Sequence, residues 1–137
     1  MKIKSTLIFG GIALLIAVIL GALGAHYLRE TLAYPALKIE SWKTGVQYQQ
    51  IHGIALILLA ILQTQFPKLN LKTVSALFKT GIILFSGSIY ILAINYSLAI
   101  DFLPKIFGPM TPLGGLFLIA GWLLFIINLL KAKFDNE

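Results

Sequence analysis

Of the 137 residues 58% are hydrophobic and 12% charged, and the mean hydropathy is +0.91, whereas soluble domains average roughly 45–50% apolar and about 25% charged residues. That composition excludes a water-soluble globular domain, and the absence of cysteine excludes disulfide frameworks, thiolate metal centres and cysteine nucleophiles. The net charge of +6 does not point to nucleic acid, because the basic residues sit at the ends of apolar runs.

A helix needs about 20 apolar residues to cross some 30 Å of hydrocarbon, and four segments qualify. The first span, 6–26, has no charged residue between Thr6 and Ala25. Its basic start and the Ala22-Leu23-Gly24 pattern mimic a secretory signal. A signal core is only about 7–15 residues long, so the first helix is expected to be retained. Residues 27–43 follow as an outer interfacial loop, in which Pro35 opens a short turn and Leu37, Ile39 and Trp42 lie on the membrane surface. The second span, 44–66, is stopped by Pro67. The third, 76–100, belongs to a helix starting near Lys72, with the Lys79 stem reaching along apolar surface to water. The fourth, 112–130, opens with Thr111 as N-cap and Pro112 as first helical residue.

Lipid supplies no hydrogen-bond partners, so each span must satisfy its own backbone as an α-helix. The expected fold is all-α, an integral membrane four-helix transmembrane bundle with short loops, in a single membrane domain over 1–137. Seven lysines (Lys2, Lys4, Lys68, Lys72, Lys79, Lys131, Lys133) fall on the side of the two termini and the second loop. Arg29, Lys38, Lys43 and Lys105 fall on the other, which places both termini in the cytoplasm.

Helices in lipid associate through small residues that let backbones approach. The first helix offers Ala13, Ala17, Gly21 and Ala25 at spacings of four; Gly53, Gly87, Gly114 and Gly121 are the corresponding positions on the others. Packing within the bundle is preferred over a dimer seam. The expected partners are the bilayer and either a second copy or another membrane protein, not nucleic acid. Trp122 and Asn128 receive no functional role.

Polar side chains inside a membrane are expensive, so their placement is informative. No Asp, Glu, Lys or Arg lies deep in a span, which argues against a proton pump, a charged selectivity ring or a carboxylate-coupled transporter. What remains is Trp42, Tyr48, Gln49 and His52 around the start of the second helix, Ser86, Ser88, Tyr90 and Asn95 on the third, His26 at the end of the first and Thr111 before the fourth. With a rise of about 1.5 Å per residue, His52 lies roughly 12 Å below the outer boundary, and Tyr90 and Asn95 roughly 15 and 8 Å below it. Two readings follow: a hydrogen-bonded network tying the helices together, which is preferred, or an outward-facing pocket for a small amphipathic ligand such as a lipid head group, quinone or haem. Axial ligation of haem by two histidines is disfavoured by their unequal depth, and a zinc site needs more ligands than two histidines supply. His52, Tyr48 and Ser88 lack an acidic orienter, so an enzyme is the least supported class. No metal or cofactor is assigned.

Four ordered motifs resemble a known family: Gly21-Ala22-Leu23-Gly24-Ala25-His26; Trp42-x-Thr44-Gly45-Val46-x-Tyr48-Gln49-x-x-His52; Leu84-Phe85-Ser86-Gly87-Ser88-x-Tyr90; and Thr111-Pro112-Leu113-Gly114-Gly115 with Ala120-Gly121-Trp122. Together they resemble the YgdD/YwdK-like family (domain of unknown function 423), small multi-pass membrane proteins of bacteria with mitochondrial relatives, over about residues 6–130. The resemblance implies a four-helix protein of the bacterial cytoplasmic membrane and supplies no activity. Its pattern falls on His26, Trp42, Tyr48, Gln49, His52, Ser86, Ser88, Tyr90, Thr111 and Pro112. Leu23 departs from the Phe that relatives often carry, and either side chain is apolar. The expected function is that of a non-enzymatic accessory or interaction component of the membrane.

Overall fold

The computed structural model describes residues 1–132; Lys133, used in the charge reading, lies outside the described residues. Four helices follow in chain order: α1 (Ile3–Ala22), which continues without a break as a π-helical segment (Leu23–Thr31), α2 (Ala36–Gln65), α3 (Lys72–Leu98) and α4 (Leu103–Lys131). Each is long and apolar enough to cross a membrane. The main contacts join chain neighbours, α1 with α2, α2 with α3 and α3 with α4. Thr6 near the start of α1 meets Ser75 near the start of α3, and Asn128 near the end of α4 meets Asn70 before α3. Met1, the 66–71 loop and Lys131 therefore share one end of the bundle.

Two expected boundaries are corrected. Most of the 27–43 interfacial loop is helical: the π segment carries the first helix to Thr31, and α2 starts at Ala36, directly after Pro35 fixes the backbone for a helix start. Trp42 is consequently buried in the second helix rather than lying on a membrane surface. Thr111 and Pro112 do not open α4 either. The helix begins at Leu103, with Pro104 in its first turn, and takes Pro109 and Pro112 into its interior. A proline clashes with the carbonyl four residues earlier. For Pro112 that residue is Gly108, and membrane helices tolerate such prolines when neighbouring helices and hydroxyls support the turn.

Glycines set how closely the helices approach. Gly10 and Gly53 face each other across α1 and α2, where a Cβ on Gly10 would meet the Gly53 carbonyl at 2.9 Å. On α3 and α4, a Cβ on Gly114 would land on the Phe85 backbone, one on Gly121 on the Phe78 ring, and one on Gly81 on Leu118. Two small-residue expectations are corrected here. Gly87 has open space where its Cβ would stand, so no helix presses on it. Ala25 is exposed, because each step of four residues overshoots a full turn by roughly 40° at 3.6 residues per turn. The face buried on α1 instead runs through Thr6, Gly10, Ala13 and Ala17 and on to Gly24 and Leu28 in the π segment. Apolar packing fills the rest. Leu56, Leu71, Val74, Phe78 and Leu118 form a core toward the terminus-bearing end, and Leu28, Tyr34, Trp42, Val46 and Ala93 form a second toward the other.

Candidate functional site

Gln49 sits where three helices meet. Its Nε2 donates to the Ala13 carbonyl of α1 at 2.8 Å, and its Oε1 accepts from the Tyr90 hydroxyl of α3 at 3.0 Å. An amide has donors and acceptors on opposite sides, so this side chain bridges its two neighbours at once. The missing side chain at Gly45 lets α3 close in: a Cβ there would stand 3.0 Å from the Tyr90 ring, and Ser86 Oγ reaches the Gly45 carbonyl at 2.8 Å. One turn nearer the α2 start, Trp42 lies against Tyr90 with ring centroids 4.7 Å apart, and its indole Nε1 donates to the Leu20 carbonyl at 2.7 Å. Gly24 is the partner of this indole, since a Cβ at Gly24 would fall on the ring.

His52 lies on the α4 side of α2. Its Nδ1 is 2.8 Å from the Tyr48 carbonyl, and its Nε2 accepts from Trp122 Nε1 at 3.0 Å. A carbonyl only accepts and an indole N–H only donates, so the ring is neutral with its proton on Nδ1. Both nitrogens are occupied, which leaves neither as a proton acceptor or a metal ligand in this arrangement. Phe78 closes the ring edge-on at 5.2 Å. Further along α3, Ser88 Oγ lies 3.0 Å from the Phe85 carbonyl and shares a hydrogen bond of 2.6 Å with Thr111 Oγ1 of α4, which ties α3 to the proline-bearing turns of α4.

The structure thus brings Trp42, Gln49, His52, Ser86, Ser88, Tyr90 and Thr111 into interhelical hydrogen bonds, and it leaves three expected members outside. His26 is exposed in the π segment and pairs with Glu30 at 3.6 Å, one turn on, rather than approaching His52. Tyr48 sets its ring at a tilt against Phe85, with centroids 4.8 Å apart, from a half-exposed position. Asn95 closes the end of α3: its Oδ1 accepts the Ile100 N–H at 3.0 Å as Ala99 turns into the left-handed region at φ 51°. Two residues given no role belong to the ties between helices, Trp122 on His52 and Asn128 on the Asn70 carbonyl at 2.6 Å. An indole two-thirds along an apolar span carries no sign of its partner, so only the i, i+70 contact reveals it.

Among the described residues no buried side-chain nitrogen or oxygen lacks a partner, and no group of three or more His, Asp or Glu side chains stands together as a metal site would need. The open space lies elsewhere. A groove of about 330 Å³ between α2, α3 and α4 is lined by Lys38, Ser41, Thr44, Ile89, Leu92, Ala93 and Thr111. Only Thr111 is shared with the polar cluster.

A family model described as "Protein of unknown function (DUF423)" matches residues 20–115. The UPF0382 membrane protein YwdK of Bacillus subtilis is 36% identical, over 93% of this chain and 98% of its own length. A UPF0382 membrane protein of Staphylococcus haemolyticus is 35% identical over 93% and 97%. The UPF0382 inner membrane protein YgdD of Escherichia coli is 32% identical over 97% and 95%. No solved structure matches.

Proposed function

The chain belongs to the DUF423/UPF0382 family of membrane proteins, and from that premise we propose that it is a non-enzymatic accessory or interaction component of the bacterial cytoplasmic membrane, with both termini in the cytoplasm. The observation that supports this reading is the engagement of the polar cluster: Gln49 spends both ends of its amide on neighbouring helices, and His52 spends one ring nitrogen on its own helix and the other on α4. A fully satisfied buried network rigidifies and specifies one packing arrangement. A catalytic base or a metal ligand needs a free basic nitrogen, and His52, with both ring nitrogens engaged, does not offer one in this arrangement.

Native mass spectrometry of the protein purified in several mild detergents tests this reading. On the structural reading, neither His52→Ala nor Gln49→Leu changes which small molecules stay bound. A small molecule that the wild type retains and either variant loses would overturn it. The groove beside Lys38 favours a second reading, an amphipathic ligand with an anionic head held at Lys38, Ser41 and Thr44 and an apolar part along Ile89, Leu92 and Ala93. An adduct retained by the wild type and lost on Thr44→Leu, which fills the groove, selects that reading instead.

A further inference from the structure

Lys79 lies two turns into α3, within the apolar span, and its Nζ turns toward α1 to donate to Thr6 Oγ1 at 3.0 Å, 5.6 Å from the centroid of the Phe9 ring. Thr6 meets Ser75 Oγ at 3.3 Å. An ammonium has three N–H donors, so the Thr6 bond leaves two to be matched. Lys72, Ser75 and Lys79 follow one face of α3 at spacings of three and four, and Lys2, Thr6 and Phe9 follow one face of α1 in the same way. Lys2 and Lys72 thus stand on the two faces that meet at Thr6 and Ser75, nearer the helix ends.

Among the described residues the side-chain charges at this end have one sign. Both α1 and α3 start here, and neither carries a side-chain cap or an acidic residue in its first turn. The positive ends of two helix dipoles therefore stand beside the lysines, while α2 and α4 end on the same side with their negative ends. Glu30, Glu40 and Asp101, the carboxylates among the described residues, all lie toward the opposite end. A charge within a membrane span is costly until it finds a counter-ion. A free anion would have to leave water to reach Lys79. A phospholipid already holds its phosphate at headgroup depth, and its acyl chains would run along exposed Ile83, one turn beyond Lys79 on α3, and exposed Ile12 and Ile16 beyond Phe9 on α1.

We propose that the surface between the starts of α1 and α3 binds the phosphate of an anionic phospholipid, with Lys79 as the main contact, the buried Thr6 and Ser75 holding the Lys79 ammonium in place, and Lys2 and Lys72 adding charge. A zwitterionic head group brings its own ammonium against the lysines and is disfavoured. Native mass spectrometry of the detergent-purified protein, supplied with equal phosphatidylglycerol and phosphatidylcholine, provides the test. The wild type retains phosphatidylglycerol preferentially. Lys79→Met lowers that retention about fivefold, while Lys79→Arg keeps it and Lys68→Met, in the 66–71 loop, leaves it unchanged. Equal retention of phosphatidylcholine by the wild type overturns the proposal, as does an equal loss on Lys68→Met, which would show general surface attraction. Displacement of the lipid by inorganic phosphate also overturns it, in favour of a free-anion site. Should Lys79→Met fail to fold, Lys72→Met is read in the same way, and unchanged retention in that variant overturns the proposal.

Discussion

Protonating His52 would set an Nε2–H donor against the Trp122 N–H donor 3.0 Å away, so the contact holds only while the ring is neutral. That makes His52 an acceptor fixed between α2 and α4. Removing it strands an indole donor as well as deleting a bond. His52→Ala and Trp122→Phe should each lower stability in detergent by about 1–2 kcal/mol, and a double-mutant cycle should give a coupling between about 0.6 kcal/mol, the average measured between membrane helices, and about 1.7 kcal/mol, the largest. Additive losses, read from thermal or denaturant unfolding of the four proteins of the cycle, would show that the pair does not interact. At this scale the sequence was informative about one partner of each bond. Gln49, His52 and Tyr90 stand out because a polar group in an apolar span must find a partner inside protein. Their partners did not stand out: the Ala13, Leu20 and Gly45 carbonyls belong to every residue alike, and Trp122 presents mostly apolar surface.

The helices themselves were easier to foresee than their ends or faces. Length and hydropathy suffice for four spans, because a continuous apolar run in lipid has only the helix to satisfy its backbone. The start of α4 is misplaced by the sequence because Pro112 is a local signal, whereas tolerance of an internal proline depends on what the next helix supplies, here the Ser88–Thr111 pair. Faces failed where spacing by four drifts around the helix, which moved the contact from Ala25 to Gly24. Glycines behaved in two ways that the sequence does not separate. Gly114 has the Phe85 backbone where its Cβ would go, and a backbone cannot swing aside, so Gly114→Ala should cost about 1–3 kcal/mol through overpacking and loosen α3 from α4. Gly87 has open space, so Gly87→Ala should be neutral or raise stability by up to about 1 kcal/mol, the helix-propensity difference. Melting temperatures in one detergent rank the two variants; similar shifts in both would refute the close-approach argument.

Over the whole molecule, the ties run from α1 to α2 through Gln49 and Trp42, from α2 to α3 through Gly45 and Tyr90, from α2 to α4 through His52, and from α3 to α4 through Ser88. Every helix is therefore held by at least one polar bond in addition to apolar contact, which matters where lipid tails compete equally for apolar surface. Charge is distributed along the other axis. Lys2, Lys4, Lys68, Lys72, Lys79 and Lys131 lie toward the terminus-bearing end, where no carboxylate is found among the described residues, while the opposite end mixes Arg29, Lys38, Lys43 and Lys105 with Glu30, Glu40 and Asp101. Lysine and arginine near span ends resist translocation, so the terminus-bearing end should face the cytoplasm. A chain without cysteine permits a clean measurement. Ala36→Cys, exposed at the start of α2, should react with a membrane-impermeant maleimide in intact cells, whereas Asn70→Cys, exposed in the loop before α3, should react only after permeabilisation. The reverse pattern would invert the molecule in the membrane and, with it, the leaflet from which Lys79 draws its lipid.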